Sequence, residues 1–322
     1  MAEVVVSGAA GFVGRELCGA LLRAGYRVRA LTRAPFTLPG ADRAGLCVKL
    51  VPDLAAAERP AELMAGAEAF VHLAAHVHRL GEDPGSAERA AQRDVAMTER
   101  LALGANQAGL TRMVFVSSVK ALADYSAAPL ARDAPAQPTD PYGRAKLECE
   151  QRLSSLSRSL GLQVVVVRPP LVYGPGASAN FRAMVRWVRR RVPLPLAGVR
   201  NRRSVVSVDN LADFLVRCLG RIEGQFNVFH VSDAEPVSTP QLLGYVAEGL
   251  GVRARLFPMP VGLLRALCAL TGRPELAARL LGSLELETGD SFAALDWRPK
   301  TSTREGILRA VRAAPASSAV RG

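Results

Sequence analysis

Short β-branched runs alternate, over the first half of the chain, with segments rich in Ala, Leu and Arg whose apolar positions recur at helical spacing. The runs predict strands at Val4–Ser7, Arg27–Leu31, Val48–Val51, Ala69–Leu73, Met113–Ser117 and Gln163–Arg168. Between them the pattern predicts helices over Phe12–Ala24, Pro60–Ala65, Ala87–Ala108 and Tyr142–Leu160. "VVVV" at Val164–Val167 is continuously apolar, as a strand covered on both faces must be. This alternation predicts an α/β chain with a doubly wound parallel sheet of the Rossmann type.

After Arg168 the texture changes. "PPLVYGPG" is rich in turn formers. Helices are then expected at Asn180–Arg191, Asn210–Leu219 and Thr239–Leu250, with short strands near Ser204–Val208 and Gln225–Val231. The pattern divides the chain into a cofactor-binding domain (1–170), a smaller substrate-binding part (171–312) packed on the sheet's C-terminal edge, and a disordered tail (313–322). The most apolar later run, "PVGLLRALCALTG", is too short to span a bilayer and contains Arg265, so a core or partner-facing helix is expected.

Composition narrows the classes. The chain has 322 residues and is 49% hydrophobic, enough for a sizeable core. Its net charge is +12, from 41 basic and 29 acidic residues. Such a balance suits nucleic acid, a membrane surface or an anionic substrate. Aromatics are only 5% and no zinc-finger spacing occurs, so nucleic-acid binding is not expected. The arginines cluster only at Arg189–Arg191 and in "RNRR", Arg200–Arg203. The five cysteines lie far apart without a CxxC pair, which predicts buried thiols in a reducing, cytoplasmic compartment. "HVH" at His76–His78 lacks helical ligand spacing, so no metal is expected. With the first strand at Glu3 there is no room for a signal peptide.

"VVVSGAAGFVGRELCGALLRAG" is strand, glycine turn and helix. Gly8 turns the chain, Gly11 leaves bare backbone for a pyrophosphate, and Gly14 lets the helix sit close to the strand. Phe12 and Val13 open the helix, whose unpaired N–H groups point at the phosphates. After the second strand come Thr32 and Arg33, with no carboxylate to accept the ribose hydroxyls of NAD. A guanidinium suits a 2′-phosphate, so NADP is expected, with NAD as the alternative. Asp53, followed by Leu54, either accepts from the adenine amino group or caps the next short helix. Leu73, Ala74 and Ala75 let a cofactor lie against backbone, while His72 is structural.

In "TDPYGRAKLE", Asp140 is the expected N-cap and Pro141 the first helical residue. Tyr142 and Lys146 then share one face, a turn apart. A free phenol releases its proton near pH ~10, and a neighbouring ammonium favours the phenolate. The pair is therefore suited to acid–base chemistry on an alcohol or ketone. In "MVFVSSVKA", Ser117 and Ser118 end the fifth strand, where ligands bind in this architecture.

With "GAAGFVG", "HLAA", "FVSSVK", "PYGRAK" and "RPPLVYGPG", the chain resembles the extended short-chain dehydrogenase/reductase superfamily, in its nucleotide-sugar epimerase/dehydratase branch, over roughly residues 3 to 310. The resemblance implies catalytic roles for Ser118, Tyr142 and Lys146 and places Pro169 at the cofactor. It implies a UDP-sugar substrate held by Ser118, Lys120, Tyr142, Asn180 and Arg203, and a homodimer through Ala87–Ala108 and Tyr142–Leu160. Two departures stand out. Asp94 occupies the place of a customary asparagine, and Val119–Lys120 follow Ser118 where dehydratases carry an Asp-Glu pair. Dehydration is therefore not expected. The motifs look most like reductases of UDP-4-keto-6-deoxy-N-acetylhexosamines in bacterial O-antigen synthesis, with a UDP-sugar 4-epimerase as the alternative. Non-catalytic cofactor-binding regulators usually lose the tyrosine or the lysine, and both are present.

Overall fold

The computed structural model describes residues 1–38, 45–75, 83–177, 179–272 and 274–313. Nine strands are described: β1 (Glu3–Ser7), β2 (Arg27–Thr32), β3 (Leu46–Leu50), β4 (Ala69–His72), β5 (Arg112–Val116), β6 (Gln163–Arg168), β7 (Leu171–Tyr173), β8 (Val205–Ser207) and β9 (Phe226–His230). Seven build one parallel sheet in the order β3-β2-β1-β4-β5-β6-β9. The chain steps outward from β1 to β3, then returns to place β4 on the other side of β1. That reversal opens a crevice beyond the carboxyl ends of β1 and β4, where this architecture binds ligands.

Side chains alternate across the sheet as the pleat requires. Val4, Val6, Val165 and Val167 face one core with Leu17 and Leu21 of α1 (Phe12–Arg23). Val5, Val164 and Val166 face the other. There they meet α2 (Pro60–Met64), α3 (Pro84–Gln107) and α4 (Pro141–Leu160) through Met64, Leu101 and Leu153. A continuously apolar strand is thus explained by helices on both faces.

The remaining helices are α5 (Ala179–Arg189), α6 (Val208–Arg217), α7 (Thr239–Gly249), α8 (Val261–Leu270), α9 (Pro274–Leu281), α10 (Gly289–Leu295) and α11 (Thr303–Arg312). Phe214 and Leu215 of α6 complete the α1-side core. A third core joins Tyr173, Phe181, Leu242, Leu243, Leu264 and Ile307 from the C-terminal part. Asp233, just beyond β9, ties the third core to α6: it accepts from Tyr173 Oη at 2.5 Å and from Asn210 Nδ2 at 2.7 Å.

The strand read near Gln225–Val231 is the edge strand of the main sheet, paired with β6. Strand and helix ends fall within a few residues of the sequence-based bounds. Helix α3 starts at Pro84, earlier than Ala87, because Asp83 caps it by accepting from Ser86 N at 2.8 Å. "HVH" and residues 314–322 of the tail lie outside the described residues. Among the described residues no helix is long and apolar enough to cross a membrane, and no cluster of metal-ligating side chains occurs.

Candidate active site

The site grows from the β1 turn. Gly8 adopts a left-handed φ of 70°, and a Cβ there would come within 2.9 Å of Ala74 N, just past β4. A Cβ on Gly14 would overlap the Gly8 carbonyl, so only glycine lets α1 approach this closely. Exposed Gly11 is the N-cap of α1 and provides no side-chain acceptor. The first N–H groups of the helix, at Phe12 and Val13, are thus left for a ligand. This cradle fits the pyrophosphate of a dinucleotide.

Around the turn, buried His72 fastens β4 to its neighbours. Its Nδ1 lies 2.7 Å from Ser7 Oγ and its Nε2 lies 3.2 Å from Thr98 Oγ1. Burial, reinforced by the Lys146 ammonium, lowers its pKa to about 3 and keeps the imidazole neutral. Arg33 is exposed just beyond β2, on the same end of the sheet as the glycine turn. Asp53 caps a short 3-10 turn at Leu54–Ala56 by accepting from Ala55 N at 3.1 Å, and it pairs with Arg93 of α3.

The catalytic candidates lie at the carboxyl end of β5 and the first turns of α4. Asp140 accepts from Gly143 N at 2.7 Å and starts the helix. Lys146 is 6% exposed, donates from Nζ to Val116 O at 3.0 Å, and sits 4.6 Å from the Phe115 ring centre. Its Nζ lies 5.8 Å from the Tyr142 ring centre. Tyr142 and Lys146 line one cleft with Ala74, Ala75, Asp94 and Thr98, so the segment just past β4 and the tyrosine helix face a common space. Asp94, at the place of the customary asparagine, borders that cleft, and its carbonyl accepts from Thr98 Oγ1 at 2.8 Å.

The two serines differ. Ser117 is buried and donates to Glu150 Oε1 at 2.5 Å. Glu150 is held by Arg168 in a buried pair, with Nη2–Oε2 at 2.6 Å, and Arg168 also donates to Arg132 O at 2.7 Å. Ser118 is half-buried, and its Oγ accepts only a backbone N–H, from Lys120 at 3.2 Å. Among the described residues its hydroxyl proton has no acceptor. The Glu150–Arg168 pair was not singled out from sequence. Its signal was available: Glu150 lies four residues past Lys146, on the same flank of α4.

Lys120 has its ammonium between two carboxylates, Asp124 at 2.8 Å and Asp140. Burial works against its charge, but the carboxylates outweigh this and raise its pKa above the ordinary lysine value. Buried Pro169 accepts from Val119 N at 3.0 Å, fixing the turn behind Ser118. Gly143 belongs to the same joint, since a Cβ there would overlap the Lys120 carbonyl.

The remaining candidates sit in the C-terminal part. Asn180 is in the first turn of α5. Arg203 is partly buried, bridges backbone to Val237, and donates to Gly282 O at 2.8 Å. Burial lowers its pKa, and no carboxylate among the described residues pairs with it. An under-compensated guanidinium of this kind is a receptor for an anion. Its neighbour Arg202 is committed to Glu285, at 2.6 Å. The stretch 282–287 also receives the segment between serine and tyrosine. Ser126 N donates to Ser283 O and Leu130 N to Glu285 O, both at 2.8 Å.

A family model described as the NAD dependent epimerase/dehydratase family matches residues 4–231. The chain is 30% identical over 317 residues to a UDP-glucose 4-epimerase of Vibrio cholerae, covering 97% of this chain and 95% of that protein. It is 30% identical over 327 residues to a 3-diazoavenalumate denitrifying reductase of a Streptomyces species, covering 95% of this chain and 99% of that protein. Among solved structures, MoeE5 in complex with UDP-glucose and NAD superposes with a TM-score of 0.78 over 97% of this chain and 98% of that one. At 23% identity this is a likeness of fold.

Proposed function

The chain belongs to the NAD-dependent epimerase/dehydratase family, and from that premise we propose that it reduces the 4-keto group of a UDP-linked 6-deoxy-N-acetylhexosamine for bacterial surface polysaccharide. The observation that carries the proposal is the shared cleft, lined by Tyr142 and buried Lys146 together with Ala74, which abuts Gly8, and Ala75. A nicotinamide cofactor, when bound, supplies the hydride. Ser118 donates to the C4 oxygen and orients the carbonyl. Tyr142 gives its phenolic proton to that oxygen as the carbon is reduced, so ketone, hydride and proton balance to an alcohol. Lys146 holds its ammonium 5.8 Å from the centre of the phenol ring. Arg203 takes the diphosphate. The absence of an acidic pair after Ser118 speaks against dehydration.

Exposed Arg33, with no carboxylate at the end of β2, supports NADP over NAD and hence net reduction. The 30% identity to the Vibrio cholerae protein favours a second reading, 4-epimerisation of a UDP-hexose or UDP-N-acetylhexosamine with retained NAD. A cytoplasmic homodimer with a cofactor domain over 1–170 and a substrate part over 171–312 completes the proposal. The test supplies UDP-4-keto-6-deoxy-N-acetylglucosamine with NADPH or NADH. Loss of reduced-nicotinamide absorbance in step with product supports reduction. Epimerisation of UDP-glucose or UDP-N-acetylglucosamine without net cofactor change selects the second reading. Turnover of neither would reject both.

A further inference from the structure

Half of the large apolar side chains exposed among the described residues gather in one region of the C-terminal part. Helix α8 turns Leu264 inward and leaves Leu263, Leu267 and Leu270 outward, at 50%, 44% and 84% exposure. These three fall on one face of the helix, away from its buried contact. Phe257 and Val192 extend the patch, 41% and 37% exposed. Their chains are joined: Phe257 N donates to Leu194 O and Leu194 N to Arg255 O, at 3.0 and 2.9 Å. The segment that follows α5 therefore lies against the one that enters α8.

Charge around this patch has one sign. Residues 179–203 and 249–272 carry eleven arginines and neither aspartate nor glutamate. Arg189, Arg190, Arg253, Arg255 and Arg265 are exposed, and none forms an ion pair among the described residues. The nearby carboxylate of Glu248, at the end of α7, is engaged by Arg304. Two stretches account for eleven positive charges in a chain whose excess is +12. The basicity is thus a local feature. The proposed reaction uses Arg203 alone from this set.

We propose that α8 and the flanking arginines form a docking face for the surface of an anionic phospholipid bilayer. An interfacial helix needs an outward apolar row at headgroup depth with cations beside it, and here the inward side of the helix is anchored in the protein core. Arginines near an anionic leaflet add attraction that salt screens. A second copy of the chain would bring like charge against like, and nucleic acid would leave the leucine row without a partner. The docking face is separate from the cleft and holds whichever sugar reaction the enzyme performs.

The full-length protein is sedimented with vesicles of phosphatidylcholine alone, and with vesicles containing about one-third phosphatidylglycerol. The expected result is at least about tenfold more bound protein on the anionic vesicles, falling as salt is raised. The double variants L263E/L267E and R189E/R190E should each lose most of that binding, with unchanged melting temperature and unchanged UDP binding. No sedimentation, or equal binding to neutral vesicles, overturns the proposal. So does anionic-vesicle or RNA binding that L263E/L267E leaves intact, which would mark a purely electrostatic surface. Concentration-dependent self-association of the wild type that L263E/L267E abolishes would assign the face to a second copy instead.

Discussion

Ser117 and Ser118 are neighbours in sequence with opposite commitments. Ser117 donates to buried Glu150, while Ser118 Oγ accepts from Lys120 N and its own proton has no acceptor among the described residues. Ser118→Ala should lower kcat by about 10²–10³, the usual effect of removing one donor to a reacting oxygen. Ser117→Ala should leave kcat within a few-fold and lower stability by about 1–2 kcal/mol, measured by urea unfolding. Equal kinetic losses in the two variants would contradict this division. The family resemblance pointed to Ser118 instead of Ser117, but nothing in the local sequence shows the physical reason. Their difference arises from Glu150 and Arg168, which are 33 and 51 positions away. Two buried histidines make a second prediction. His72 and His230 have pKa values lowered to about 3 and about 4, chiefly by burial. In the unfolded chain they protonate near pH ~6.5, so between these limits the unfolded state holds more protons. Stability from both is complete above that pH and falls on acidification, approaching about 1.4 kcal/mol per pH unit for each. Urea midpoints between about pH 7 and pH 5 read this slope, and a flat profile would argue against neutral buried imidazoles.

Among elements, the entry to α4 carries the most consequence. Asp140 caps the helix, and its other oxygen holds Lys120 beside Ser118. One carboxylate thus ties the tyrosine helix to the serine turn. Asp140→Ala should cost about 1–2 kcal/mol of stability from the lost cap, and Asp140→Asn should recover much of it because the amide oxygen still accepts from Gly143 N. Catalysis should fall in both variants, since neither keeps the charge facing Lys120. Comparing their melting temperatures with their kcat values separates the two roles. The cap and the Pro141 start were legible beforehand because capping is local chemistry. The glycine turn was legible for the same reason. Lys120's tie to Asp140 was not, because that carboxylate meets it only when the 123–138 segment folds back, whereas Asp124 lies four residues along.

At the scale of the molecule, the basic stretch around Arg203 divides by what surrounds each guanidinium. Arg202 is spent on Glu285, whereas Arg203 lacks a carboxylate partner among the described residues. Arg203→Ala should weaken UDP binding by about tenfold or more, and Arg202→Ala by only a few-fold, as isothermal titration would measure. The alternating strands and helices made the parallel sheet readable, but strand order depends on contacts far apart in sequence, as for β9. Its place beside β6 sets how the molecule must be made. Until residue 230 has been synthesised, β6 is an open margin, with the Val164–Val167 run covered on its faces but unpaired along one side. A chain ended at residue 170 should therefore aggregate or be trapped by chaperones, as bare strand margins do. Residues 1–170 by themselves leave the sheet one strand short. Its last seam is closed by polypeptide that emerges from the ribosome some sixty residues later.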